Sequence, residues 1–233
     1  MLSWFDLAWP WIGLGFAAAL IVLLCTNLLR SDASISRWRD LRWLSFLAVA
    51  LYLVHNVEEY GIAANGVFHA FPDTLCTLLG QPAYPECAIP PAFFLFVNLP
   101  LVWIVAPLAA LLFGRLRLAA LTLWGVIAIN AVVHIVPAIA LREYDPGLVT
   151  AVILFIPLSF IAAKAILRVY HRRALIVLLA AGVLMHGVLA ASALLFLRGA
   201  IPEWLMLAAQ PTVIVVGFLL VHAVEPRLRK SAS

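Results

Sequence analysis

Apolar runs of about 20 residues recur along the chain, separated by short polar stretches, and that is the length a helix needs to cross a hydrocarbon core. Seven runs are read as spans: Trp11–Leu29, Arg42–Glu59, Pro90–Phe113, Leu118–Leu141, Gly147–Leu167, Ala174–Leu197 and Glu203–Val224. Prolines interrupt several of them, at Pro100, Pro107, Pro137, Pro157 and Pro211. Each removes a backbone donor and can kink its helix, and kinks open space between helices. No repeat or second domain divides the chain, so the pattern predicts an all-α polytopic transmembrane bundle over residues 1–233. The longest connection, 61–89, carries turn chemistry at Asn65-Gly66, Pro72-Asp73, Pro82 and Pro85, and reads as an irregular cap with one short helix.

Composition agrees with a membrane bundle. The chain is 66% hydrophobic and only 11% charged, with a mean hydropathy of +1.10, far more apolar than a soluble domain. A pI near 9.3 raises the question of nucleic acid. The basic residues, however, sit in short clusters between apolar runs, which is the topogenic pattern of a membrane protein, and nucleic-acid binding is rejected. One set of connections holds Arg30, Arg37, Arg39, Arg42, Arg115, Arg117, Lys164, Arg168, Arg172, Arg173, Arg227, Arg229 and Lys230, whereas the other holds only Arg142 and Arg198. This asymmetry places the first set in the cytoplasm, the N-terminus outside, the C-terminus inside and the 61–89 loop outside, in a multi-pass protein of the cell membrane. The first run lacks an arginine-rich start and a clean cleavage site, so it is read as a retained span. Cys76 and Cys87 lie in the outer loop and are expected to pair in an oxidising exterior, while Cys25 reads as a small packing residue.

The second run ends unlike the others, in His55-Asn56-Val57-Glu58-Glu59. Ionisable groups in a span must find a partner, a cavity or an ion, which makes them candidates for function. Helical spacing puts His55, Glu58 and Glu59 on roughly one face, with Tyr52 one turn earlier. At about 1.5 Å per residue, His55 lies about 20 Å from the basic end of its run, and Asn98, Asn130, His134 and His186 fall at about 18–24 Å on three further helices. Gln210 lies somewhat above them. Each residue has a plain reading as well: asparagines are common interhelical glue, and a lone histidine such as His186 more often bonds a neighbouring helix. Taken together, His55, one of Glu58 and Glu59, His134 and His186 make a ligand set suited to zinc or non-haem iron, with Glu59, four residues from His55, as the carboxylate ligand and the division of roles between the two acids open. Glu58 and Glu59 are then the proton-handling candidates, and Asn98, Asn130 and Tyr52 would orient them.

Two blocks carry a family resemblance. His55-Asn56-Val57-Glu58-Glu59 resembles the signature of the HXXEE domain family of integral membrane proteins. Asn130-Ala131-Val132-Val133-His134, followed by Tyr144-Asp145-Pro146-Gly147-Leu148-Val149-Thr150-Ala151, is similar to that family's Asn-x-x-x-His helix and the Tyr-x-Pro-Gly-x-x-Thr-Ala turn after it. The resemblance implies that His55, Glu58, Glu59, Asn130 and His134 belong to the family signature, and it implies little about mechanism.

Three functions fit these residues. A metal-dependent enzyme acting on a lipid-like or isoprenoid substrate would use the ligand set directly. A metal-free isomerase or cyclase would use a buried glutamate as acid. A transporter, receptor or haem-binding protein would need no catalysis, with His134 and His186 as conceivable axial ligands.

Overall fold

Ser3 and Asp6 start the first helix earlier than the apolar run alone indicates. The Asp6 amide donates to Ser3 Oγ at 3.2 Å and the Ser3 amide donates to Asp6 Oδ2 at 2.7 Å, a reciprocal capping box. In the computed structural model, which describes residues 2–230, α1 therefore runs Trp4–Leu24 and not Trp11–Leu29. The carbonyls left open at its far end are met from outside the helix. Trp43 Nε1 donates to Leu24 O at 2.9 Å and Arg37 to Cys25 O at 3.0 Å, which ties α1 to the start of α2, Leu41–Tyr60. Asp40 caps α2 by accepting from the amides of Arg42 and Trp43.

The remaining elements are α3 (Ala70–Leu78), α4 (Pro91–Leu111), α5 (Ala119–Leu141), α6 (Leu148–Val169), α7 (Arg172–Leu197) and α8 (Glu203–Val224). No strand occurs among the described residues. The short helix expected in the 61–89 loop is α3. Six helices, α1 and α4 to α8, are long and apolar enough to cross a membrane. The seventh expected span, α2, does not join them, and its surroundings explain why. Sixteen of its twenty residues are buried by other helices, so this shaft meets protein where most of the others leave apolar faces exposed, and it can carry polar groups.

Small residues set the closest helix crossing. A Cβ on Gly125 of α5 would fall 1.9 Å from Leu178 O of α7, and one on Gly182 of α7 would fall 2.4 Å from Gly125 O. Such backbone-to-backbone approach is how small residues hold membrane helices together. Two helices depart from α geometry, α4 over Leu99–Val105 and α6 over Ala151–Phe155, where each turn widens to the π form. In both, a proline stands two residues past the wide turn, Pro107 and Pro157. A proline ring collides with the carbonyl four residues back, and widening the turn relieves that collision.

Cys76 of α3 and Cys87 are joined by a disulfide, as their shared loop led one to expect. The bridge belongs to a second apolar cluster with Trp9, Tyr60, Phe93 and Met206, so the loop is fastened to the end of the bundle where α2 terminates. Cys25 is exposed and unbonded. The Gly125 crossing makes the first testable statement. Gly125→Ala must push α5 away from α7, an overpacking cost of about 1–3 kcal/mol, and thermal unfolding in detergent should show a lowered midpoint. An unchanged midpoint would mean that the crossing is not tight.

Candidate functional site

At the loop end of α2, polar side chains excluded from water find one another. Glu58 accepts from four donors: the Tyr144 hydroxyl at 2.6 Å, the Val149 amide at 3.0 Å, the Thr150 amide at 2.7 Å and the Thr150 hydroxyl at 2.5 Å. The two amides lie in the first turn of α6, where no intrahelical acceptor exists. A carboxylate from α2 thus caps α6 across the bundle, and the helix dipole favours it there. Burial, and then the Glu58 carboxylate, push the Tyr144 phenol up, so its hydroxyl remains a donor.

Pinning α6 in this way brings the turn before it against two histidines. Gly147 has φ +103°, a conformation that suits glycine. A Cβ there would stand 2.8 Å from Cε1 of both His55 and His134. Asp145, two residues earlier, makes a short contact with His134 Nδ1. The Thr150 hydroxyl meets His55 Nδ1 at 2.6 Å. Both imidazoles are thereby held at Nδ1 and turn Nε2 inward, and both Nε2 atoms face one carboxylate oxygen. Glu59 Oε1 lies 3.5 Å from His55 Nε2 and 3.2 Å from His134 Nε2.

The hydrogen bonds also assign the protons. The Thr150 hydroxyl has one hydrogen, and its shortest contact is the Glu58 carboxylate, so it accepts from His55, whose Nδ1 carries the proton. Asp145 can only accept, so His134 Nδ1 carries a proton too. In neutral imidazoles the two Nε2 atoms then present lone pairs, and neither has a hydrogen-bond partner. Two lone pairs and a carboxylate converge in a space nearly closed to water: His55 and His134 are 0% exposed and Glu59 is 3% exposed. One atom from each of the three lies within 4.8 Å of the others.

A cavity of about 220 Å³ opens beside this group, with Glu59 and Asp145 in its wall. Asn98, Asn130, His186 and Gln210, with the phenols of Tyr52 and Tyr60, supply further polar groups among many apolar side chains. Phe71 and Leu75 of α3 form part of the wall on the loop side, and the Phe71 ring lies 5.7 Å from that of His134.

The residues singled out in the sequence distribute as follows. His55, Glu59 and His134 are brought together as a ligand-like group. Tyr52 lines the cavity and its ring lies edge-on to His55 at 5.7 Å. Asn98 Nδ2 donates to Phe94 O at 3.0 Å, whereas Asn130 Oδ1 is buried with no partner. His186 lines the cavity but stands outside the three-residue group, its Nδ1 meeting Gly182 O one turn back. Glu58 has its carboxylate taken up by α6. Asp145, Gly147 and Thr150 were not assigned roles from the sequence. All three lie in the turn that resembles the family's second block, so the signal was present there without its chemistry.

Among protein families, the model described as a protein of unknown function with HXXEE motif matches residues 46–162. That span begins in α2 and ends in α6, and so contains every residue of the His-Glu-Asp-Thr network. No curated protein and no solved structure matches the chain.

The capping role of Glu58 is open to test. Glu58→Gln keeps the size but turns an amide NH₂ towards donors, and should cost about 2 kcal/mol, read as a lower unfolding midpoint. A midpoint equal to the unmodified protein's would remove Glu58 as the anchor of α6.

Proposed function

The chain belongs to the HXXEE family, and on that footing we propose that it is a polytopic membrane protein whose His55, Glu59 and His134 hold a divalent metal ion for chemistry on a lipid-like substrate. The observation that carries this reading is the convergence of two unpartnered Nε2 atoms on one carboxylate oxygen. Without a positive charge between them these groups repel, and burial removes the water that would screen them. Ligands about 2.1 Å from a tetrahedral centre stand about 3.4 Å apart, close to the 3.2 and 3.5 Å separations of Glu59 from the two imidazoles. The outward nitrogens are held by Asp145 and Thr150, the arrangement by which metal-binding histidines are oriented and made more basic. Two histidines and one carboxylate suit zinc or non-haem iron. Such an ion supplies Lewis acidity towards a polar group of a substrate.

The chain's own residues supply the rest. Glu59 serves as a ligand and Asp145 holds the proton on His134 Nδ1. Glu58 fixes the turn that carries Asp145 and Thr150. The adjoining cavity, with polar groups gathered at Glu59, Asp145, Asn98, Asn130, His186 and Gln210 among many apolar side chains, favours a small polar head on an apolar body. A second reading rests on His134 alone, which has a carboxylate at each ring nitrogen. As an imidazolium it would satisfy both, and the site would then move protons without a metal, as an isomerase or cyclase requires.

We further propose that α2 crosses the membrane with the six apolar helices, giving seven crossings with the loop end outside. The thirteen-to-two division of basic residues supports this orientation. So does the disulfide, which sits at the basic-poor end. The start of the chain packs at the loop end, with Trp9 against Tyr60, and the last described residues pack at the other, with Lys230 N bonded to Val169 O. Ends on opposite faces require an odd number of crossings.

Metal content decides between the two chemistries. Purified protein should carry about one zinc or iron per chain, and His55→Ala or His134→Ala should lose it. A wild-type protein that stays metal-free after loading with either ion would favour the proton-transfer reading. For the topology, cysteines introduced one at a time into the cysteine-free chain should react with an impermeant reagent at 61–89 and stay unlabelled at 168–173. The reverse pattern would invert the orientation.

A further inference from the structure

At the opposite end of the bundle from the histidines, a cavity of about 650 Å³ lies between three connections of the chain. Arg39 reaches it from the link between α1 and α2, Arg42 from the first turn of α2, Arg117 from the link between α4 and α5, and Tyr170 from the link between α6 and α7. Like charges gathered in one cavity repel unless an acid separates them. None does. Among the described residues, the only ion pairs within 4.0 Å involve histidine, and no arginine or lysine reaches a carboxylate.

Asp40 and Glu225, in the connections around this cavity, are occupied by neutral donors, and Asp32 likewise accepts from the Ser34 amide and hydroxyl. Asp40 accepts from the amides of Ser31, Asp32, Arg42 and Trp43 and from the Ser31 hydroxyl. Glu225 accepts from the Tyr170 hydroxyl at 2.7 Å and the Leu118 amide at 3.0 Å. Both carboxylates hold the backbone around the cavity and leave the guanidinium groups unpaired. Arg42 places one amino group on Arg30 O at 3.2 Å, while its Nε is buried without a partner. The positive field reaches the cavity floor as well. Burial and then Glu225 push the Tyr170 phenol up, with Arg229 and Arg117 pulling against them.

Apart from Ser31, the rest of the wall is apolar, with Leu41, Leu111, Phe113 and Val169 in it. Leu111 is 60% exposed and continues the lipid-facing side of α4. A charged recess bordered by apolar surface at the end of a membrane bundle has the chemistry of an amphiphile, an anion above and hydrocarbon beside it. Guanidinium groups match phosphate oxygens through paired N–H donors, which a single ammonium cannot do.

We propose that this cavity binds the headgroup of an anionic phospholipid, with Arg39, Arg42 and Arg117 around its phosphate and the acyl chains along Leu111 and Phe113. The site is separate from the His55–Glu59–His134 group and does not depend on the metal reading. Its role would be to seat the arginine end of the bundle in a leaflet that carries negative lipid.

The probe is phosphatidylglycerol in competition with phosphatidylcholine. Full-length protein is held in nanodiscs of an equimolar mixture, released into detergent, and the lipids it retains are identified by native mass spectrometry. Retention of phosphatidylglycerol in preference to phosphatidylcholine is expected. Arg39 and Arg117 form no side-chain hydrogen bond within the described chain, so Arg39→Gln and Arg117→Gln leave the fold intact. Each should lower the preference about fivefold, the equivalent of roughly 1 kcal/mol per basic residue, with metal content unchanged. Equal retention of the two lipids would overturn the proposal, as would an undiminished preference in the double variant. A wash of wild-type protein at high ionic strength needs no variant. Screening should strip phosphatidylglycerol, and retention indifferent to salt would reject a charge-read headgroup. If inorganic phosphate protects against heat as well as short-chain phosphatidylglycerol does, the ligand is a soluble anion and the lipid assignment fails.

Discussion

A carboxylate confined to an apolar interior has to be met by donors, and the position of Glu58 on α2 determines which donors are near. They are the open amides of the α6 first turn, the Thr150 hydroxyl and the Tyr144 hydroxyl. An N-terminus needs an acceptor and a buried acid needs donors, so each need is satisfied by the other. Much of the site depends on this one contact. It fixes the start of α6, hence the position of Gly147 and Asp145, and hence the orientation of both imidazoles. Thr150 joins the two halves, since its hydroxyl donates to Glu58 and accepts from His55. The two glutamates of the motif are therefore not equivalent. Glu58 faces α6 and shapes the site, while Glu59, one residue on and turned by about 100°, faces the histidines.

That division shows how far helical spacing can be read. Spacing put His55, Glu58 and Glu59 on one side of a helix, and the structure keeps all three buried. It could not say which of two adjacent acids met the histidine, because a 100° difference leaves both within the same broad face. His186 exposes the corresponding limit of depth. Rise per residue gives a level in the membrane but not a direction around the helix axis. His186 reaches the same cavity as Glu59 while bonding its own helix, and the ligand-like group forms without it. Asp145 is the clearest omission. It lies in a connection, where an acid is normally solvated, and only the folding-back of the turn buries it to 6% exposure. No periodicity marks such a residue. The glycine at position 147 was a trace of it, since the turn can come this close only without a side chain.

The helix that carries His55, Glu58 and Glu59 is also the one whose composition departs from its neighbours. A helix facing lipid must be apolar along its length, whereas a helix surrounded by helices need only be matched by them. α2 is matched along its length. Trp124 of α5 donates to Leu44 O at 3.1 Å, and Leu53 approaches Gly13 of α1. Hydropathy alone therefore sets α2 apart from the six apolar helices, although the bundle encloses it. The same argument explains why the histidines lie on α2 and α5. These are the two helices with the most thoroughly buried flanks, where a polar group can be held by protein on every side.

The two proline-associated wide turns fit the same scheme. On α6 the wide turn spans Ala151–Phe155, directly after the residues that Glu58 caps, and Phe155 brings its ring 4.5 Å from that of His55. On α4 it follows Asn98 and includes Leu101, which line the cavity. A wide turn displaces the helix axis and re-aims the side chains beyond it. In α6 this lets a helix start against Glu58 and still place Phe155 under the imidazole. A straight α-helix from the same cap would carry Phe155 round by a further fraction of a turn and away from the His55 ring, leaving that ring to Thr150 at Nδ1 and to the edge of Tyr52. Phe155 thus packs a phenyl ring against the same imidazole that the Thr150 hydroxyl holds at Nδ1 and that turns Nε2 towards Glu59.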